Sequence, residues 1–388
     1  MSTRVDTALL GELKKYGAFD VSQCFHCGNC TAVCPLSNGD DNFPRRMIRY
    51  SQIGDRQRLL ASKEAWLCYY CGECSDTCPR QAEPGEFMAS VRRYAIASFD
   101  PTGISRFLYT SKLSTAILMV VLSLIFALFM LTQSGAMVRE HPAMFQFIPF
   151  EVIHDVGLGV ILVAVLAMII GIVRMARMLS PGIRGPTASE ENAGRGSTVS
   201  RVASAAKATA AELAAEKRYR DCEKEPETPW YRSRWFMHWA IMWGFIGLAA
   251  ATAIDYVLLL VAEKVPGQPE PLWHPTRLLG TLAGLLAIYG ATIALISRFR
   301  KRDKYSSHSL LSDWLFLWLL FGATLTGFLV ELALYLPQGT TWGYVVFLVH
   351  VILGMEIVVL LPFTKFAHAV YRPLALFALN MSNSKVDG

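Results

Sequence analysis

Charge is what this sequence is short of: 18% of its residues are Asp, Glu, Lys or Arg, against 53% apolar, and the mean hydropathy is +0.33. A soluble chain of 388 residues needs more polar surface than that leaves. Cysteine nearly disappears after residue 78, where Cys222 alone remains, and this excludes the spread-out disulfide framework of a secreted domain. No alternating apolar and polar run marks a half-buried strand between the cysteine groups. Helix breakers are scarce inside the apolar runs, Pro362 excepted, and no internal repeat is visible, which disfavours the broken helices and duplicated halves of a transporter. The opening MSTRVDTALLGELKKYG carries no apolar signal core, so the cysteine-rich part is expected to stay in the cytoplasm.

What is present begins with apolar runs near 112–133, 152–174, 235–262, 277–298, 312–336 and 342–368, each long enough for a helix across a bilayer. The net charge of +6 comes from basic residues clustered at the ends of these runs, which leaves a nucleic-acid partner little to explain. Arg174 to Arg234 holds twelve Lys and Arg residues and Arg298 to Lys304 holds five, whereas 134–151 and 263–276 hold one or two each. The positive-inside rule puts the former in the cytoplasm, together with both termini of a multi-pass protein of the cytoplasmic membrane. The segment RVASAAKATAAELAAEKRYRDCEKE reads as a surface or interfacial helix, with Cys222 free and structurally neutral. Gly280 and Gly284 form a GxxxG pattern suited to close helix packing. The fold class is all-α: a helical two-cluster ferredoxin domain (1–105), transmembrane helices 1–2 (106–178), a cytoplasmic alanine-rich helical insert (179–230) and transmembrane helices 3–6 forming a cytochrome b domain (231–388).

Residues 24–35, CFHCGNCTAVCP, and 68–79, CYYCGECSDTCP, repeat the pattern Cys-x2-Cys-x2-Cys-x3-Cys-Pro. Three closely spaced thiolates converge on one cubane, while the fourth, before a helix-breaking proline, points to the other. The expected ligands are Cys24, Cys27, Cys30 and Cys78 for one 4Fe–4S cluster, and Cys68, Cys71, Cys74 and Cys34 for the second. A pair of zinc sites with His26 as a spare ligand is the alternative; zinc needs four donors at one centre and has no use for this duplicated run of four. His26 reads as a supporting or surface residue. The arginines between and after the runs form either a solvated face or a docking surface for an acidic partner.

In the last apolar segment, WGYVVFLVHVILGMEIVVLLPFTKFAHAVY, His350 and His368 stand eighteen residues apart. On one continuous helix that is five turns and about 27 Å of rise, so both imidazoles would leave one face near opposite sides of a membrane. Two stacked haems would suit them, each needing a second imidazole from a facing helix. Depth pairs His238 with His368 on the inner side and His154 with His350 on the outer side. His141, His274 and His308 fall in loops and read as solvated. Of the acids in the apolar runs, Asp155 and Glu356 are the candidates for a quinone and proton site, while Asp255 and Glu331 fit interfacial positions.

The segment FLVHVILGMEIVVLLPFTKFAHAVYRP resembles the final haem-binding helix of the respiratory nitrate reductase gamma subunit, and WFMHWAIMWGFIGL resembles its partner helix, with His238 in place of that family's first histidine. Its second histidine is Leu248 here, so His154 enters by depth alone. The N-terminal part resembles the iron–sulfur subunit of heterodisulfide reductase. The fused layout is similar to the membrane subunit that joins these two modules in the quinone-interacting membrane-bound oxidoreductase complexes of sulfate reducers. That resemblance implies haem b, menaquinone as substrate, cytoplasmic flavin and iron–sulfur subunits as partners, and adenylylsulfate reductase beyond them. The expected function is electron transfer between menaquinol and those subunits. The alternatives are a membrane anchor without quinone chemistry, favoured by Leu248, and a redox-sensing proton channel.

Overall fold

The computed structural model describes residues 5–37, 43–183, 198–223, 229–261, 267, 269–271, 273–301 and 309–383. Every regular element among them is helical. In chain order the helices of the N-terminal part are α1 (Leu9–Lys14), α2 (Asn29–Val33), α3 (Arg45–Gln52), α4 (Arg56–Ala61), α5 (Glu64–Leu67), α6 (Glu73–Asp76), α7 (Pro84–Phe99) and α8 (Ile104–Thr110). There follow α9 (Lys112–Thr132), α10 (Met144–Phe147), α11 (Phe150–Ile183), α12 (Thr198–Ala215), α13 (Lys217–Asp221), α14 (Arg234–Val261), α15 (Pro275–Phe299), α16 (Leu311–Leu334), α17 (Thr341–Leu360) and α18 (His368–Asn383).

Six of these are long and apolar enough to cross a membrane: α9, α11, α14, α15, α16, and α17 with its extension to Phe363. Their outward faces carry bare aliphatic side chains, Leu124, Leu162, Val257 and Leu285 among them, as a helix bathed in lipid requires. α17 packs against α9, α11 and α16, and α14 lies alongside α15. The α14–α15 contact is set by glycine. A Cβ on Gly244 would stand 2.6 Å from the backbone nitrogen of Ala287, and one on Gly290 would stand 2.8 Å from the carbonyl of Met237. The two glycines of the GxxxG pattern divide their work: Gly280 faces Ala251 of α14, and Gly284 faces the Phe328 ring of α16.

The N-terminal part is no tethered appendage. Its core of Leu13, Met47, Trp66, Phe87 and Phe99 continues without a break into Met175 and Leu179 of α11 and into Tyr371 and Ala375 of α18. Tyr371 packs on both Trp66 and Phe99, with ring centres 5.1 and 5.4 Å away. Burying each such side chain contributes about 1.5–3 kcal/mol. A charged joint crosses the same boundary: Arg93 of α7 pairs with Glu86 at 2.8 Å and with Asp313 of α16 at 3.1 Å, and Asp313 also pairs with Lys365. Arg298 stands 3.9 Å from the same carboxylate.

The last apolar segment departs from the continuous helix that the spacing of His350 and His368 suggests. α17 ends at Leu360, two 3-10 turns follow at Leu361–Phe363 and Lys365–Ala367, and α18 opens on His368 itself. Pro362 has no N–H to continue the ladder, and Thr364 is extended at φ −116°, ψ −170°. The helical register is therefore not carried from one histidine to the other, and His368 lies past the end of the sixth span.

Candidate redox-cofactor sites

Each cysteine run folds by the same local rule. The residue before the second cysteine, His26 or Tyr70, has positive φ (64° and 55°), and the glycine after it, Gly28 or Gly72, is left-handed again at 89° and 92°. Two left-handed residues so close together turn the backbone back over its own thiols, and the glycines then open the short helices α2 and α6, which pack on each other. The run that follows stops at Pro35 and Pro79.

Two hollows result. One, partly open to solvent, is lined by Cys24, Cys27, Cys30 and Cys78. The other is lined by Cys34, Cys68, Cys71 and Cys74. In each, three cysteines of one run meet the fourth of the other. Among the described residues no three His, Cys, Asp or Glu side chains converge as a single-ion site. Burial pushes Cys30 up to about 11 and Cys34 up to about 12, so their thiols hold protons until iron displaces them. The backbone N–H of Tyr70 points at Cys68 Sγ at 3.3 Å, and that of Ala82 at Cys78 Sγ at 3.4 Å. His26 bonds to Gln52, whose amide donates to the Cys24 carbonyl at 3.1 Å; the histidine supports the loop.

The histidines sort unequally. His238 on α14 and His368 at the start of α18 come together with ring centres 6.0 Å apart. Two imidazoles on opposite sides of one iron, with bonds of about 2 Å, bring their centres to about 6 Å. His238 Nδ1 is taken by Glu216 Oε1 at 2.7 Å and His368 Nδ1 by the Lys365 carbonyl. Among the described residues neither Nε2 has a hydrogen-bond partner, and the engaged Nδ1 fixes the tautomer a metal-bound imidazole needs. Burial, with His238 beside it, pushes His368 down to about 3, so its ring is neutral. His350 is arranged in the same way, Nδ1 facing the Ala323 carbonyl and Thr326 Oγ1 at 3.1 Å each.

His154 is not brought to His350. Its Nε2 meets the Tyr256 hydroxyl at 2.8 Å, its Nδ1 meets Asp155 at 3.2 Å, and its ring stacks on Tyr256 with centres 5.1 Å apart. It faces α14, whereas His350 faces α16, and among the described residues no hydrogen bond or ring contact joins the two. Asp155 has a 79% exposed side chain. Glu356 is buried and accepts a 2.5 Å hydrogen bond from Ser123 of α9. Glu331 is paired with Arg277, and His274 bonds to Thr276 at 2.9 Å. His308 lies outside the described residues.

The structure also places residues to which no motif pointed. α12 and α13 dock against the site: the indole N–H groups of Trp235, Trp239 and Trp243 donate to carbonyls of Ala214 and Ala215, and Asn380 of α18 donates to Thr209. This seats Tyr219 between the second hollow and the histidine pair. Its ring stacks on Tyr69, next to Cys68, with centres 5.0 Å apart, and meets His238 edge-on at 5.5 Å. Arg234 donates to the carbonyls of Tyr70 and Cys71, Arg92 to that of Cys68 at 2.6 Å, and Arg372 lies 3.8 Å over the Tyr69 ring. The abundance of Trp and Tyr around 219–243 was the available signal.

A family model described as citrate utilization protein B matches residues 105–386, most of the chain. The chain belongs to the citrate utilization protein B family. A 4Fe-4S dicluster domain model matches residues 20–82, covering both cysteine runs. The E subunit of dihydromethanophenazine:CoB–CoM heterodisulfide reductase from Methanosarcina mazei is 24% identical over 157 residues, 37% of this chain and 59% of that protein. Its counterpart from Methanosarcina acetivorans is equally similar. An Archaeoglobus profundus protein described as like the C subunit of heterodisulfide reductase is 33% identical over 108 residues, 26% of this chain and 57% of that protein. The chain thus spans less than two thirds of these relatives. No solved structure matches it. This member of the citrate utilization protein B family thus carries a 4Fe-4S dicluster domain and six helices long and apolar enough to cross a membrane, and is similar over part of its length to subunits of heterodisulfide reductase.

Proposed function

We propose that the protein carries electrons between a membrane quinone and a soluble flavin and iron–sulfur partner. Two 4Fe–4S clusters, in the hollows above, and one haem b between His238 and His368 supply the one-electron carriers. The observation that carries this reading is the file of rings from the second hollow to the histidine pair, Tyr69, Tyr219, His238 and His368, with successive ring centres 5.0, 5.5 and 6.0 Å apart. Centres joined in this way lie within tunnelling reach, and the protein's part is to hold them there in a fixed dielectric. The first hollow supplies the outward end. Its Cys27 is exposed and Phe25 beside it is 59% exposed, with Arg45 and Arg80 at the rim, a surface suited to an acidic partner.

On the resemblance to sulfate-reducer complexes, electrons would enter from menaquinol, reach the flavin and iron–sulfur subunits, and end at adenylylsulfate reductase. The family description favours a second direction, in which a soluble enzyme of citrate utilization feeds electrons inward from the exposed cluster to the quinone. The anchor reading, without quinone chemistry, stands or falls with quinol-driven reduction of the haem. A second haem on His350 would need an axial partner other than His154, whose Nε2 is engaged by Tyr256; Glu356 and Asp155 are the acids through which quinone protons would pass.

The test is an absorbance spectrum with iron and haem quantification on purified protein. His238→Ala and His368→Ala each lose the same haem while the cluster signals persist, and His154→Ala keeps its haem. A wild-type protein without a Soret band, or a haem that survives both inner substitutions, overturns the proposal.

A further inference from the structure

The second hollow holds one sulfur more than a cubane needs. Cys222, at the end of α13, lines it beside Cys34, Cys68, Cys71 and Cys74 and is 5% exposed. The first hollow has its four cysteines and no fifth among its lining residues. The position of Cys222 is held from both sides. Its own N–H donates to the carbonyls of Arg218 and Tyr219 at 3.1 Å, and the next residue, Glu223, accepts from the N–H groups of Arg234 and Trp235 at 2.6 and 3.0 Å, tying it to the start of α14. Arg234 meanwhile grips the carbonyls of Tyr70 and Cys71, so the segment that carries Cys222 and the loop that carries Cys71 are clamped by one residue.

We infer that Cys222 is a positioning residue for the second cluster: its S–H, inside the hollow, donates to a sulfur of that cluster and makes it easier to reduce than the first. The inference rests on the cluster reading above and adds the reason the two nearly identical cysteine runs differ. One electron entering a cubane raises the negative charge on its cysteine sulfurs, and a donor aimed at one of them stabilises that state, with no bond made or broken. The same helix that carries Cys222 carries Tyr219, so docking of the insert would set both the potential of the second cluster and its ring contact to His238.

The test is a redox titration of the full-length membrane protein followed by electron paramagnetic resonance, with the second cluster's signal assigned as the one lost in Cys74→Ser. Cys222→Ala is expected to move that signal to a more negative potential and leave the first cluster where it was, while Cys222→Ser, which keeps a hydroxyl donor, stays near wild type. An unmoved signal in Cys222→Ala overturns the inference. So does loss of the cluster in Cys222→Ala with its retention in Cys71→Ala, because Cys222 would then be the ligand. A wild-type protein that lacks the second signal overturns the cluster reading itself.

Discussion

At the scale of single residues, the side chains behind the candidate ligands do as much as the ligands. Glu216 has φ 47°, a left-handed conformation that sets its carboxylate against His238 Nδ1. Removing such an orienting acceptor costs about 10–100-fold in metal affinity. Glu216→Ala is therefore expected to lower haem affinity by that factor in a titration of the haem-free protein, with the clusters unaffected. Cys71 is the second case. The hydrogen bond from Cys222 draws it below the usual thiol range, whereas burial pushes Cys30, Cys34 and Cys74 upward. In cluster-free protein at neutral pH, Cys71 is expected to be alkylated first, measured by mass spectrometry over time, and Cys222→Ala removes that lead.

At the scale of elements, the bundle is tightest where it has least side chain. Gly244→Val would drive its branches into backbone atoms of Ala287 and Ala283, already under 3 Å from a bare Cβ. Overpacking of this kind costs about 1–3 kcal/mol or more, so the melting temperature in detergent should fall clearly. Gly159→Ala, with nothing within 4 Å, should leave it unchanged or slightly raised. The break after α17 belongs to this scale too. Spacing alone put His350 and His368 on one face, because eighteen is five helical turns; Pro362 and the extended Thr364 cancel the count and let His368 meet His238 from the start of a separate helix.

At the scale of the whole molecule, the proposed electron transfer requires the cluster domain and the apolar bundle to sit in one fixed relation, and Asp313 is the joint. Its carboxylate faces Arg93 from the cluster domain and Arg298 and Lys365 from the membrane part, all little exposed except Lys365. Breaking a buried pair by removing one partner costs about 3–5 kcal/mol, because the cations left behind remain desolvated. Asp313→Asn is expected to loosen the domain, seen as faster proteolysis at the Asp100–Gly103 turn and slower electron transfer from clusters to haem. An unchanged cleavage rate would show that the apolar core around Trp66 and Tyr371 holds the joint unaided.

The sequence by itself determined the elements whose causes are local or periodic. Six apolar runs became six helices of spanning length because backbone groups in lipid can be satisfied only within a helix, and the two cysteine runs became two hollows because short spacing, left-handed turns and a terminal proline act within a dozen residues. Tertiary structure alone decided which histidine faces which. His154 and His350 looked matched by depth, but depth says nothing of azimuth, and rotation about each helix axis turned one toward Tyr256 and the other toward Thr326. It also decided that the alanine-rich insert is part of the site: Glu216, Tyr219 and Cys222 carry no motif, and their positions follow from the docking of α12 and α13 onto α14 and α18, a set of contacts between segments far apart in the chain.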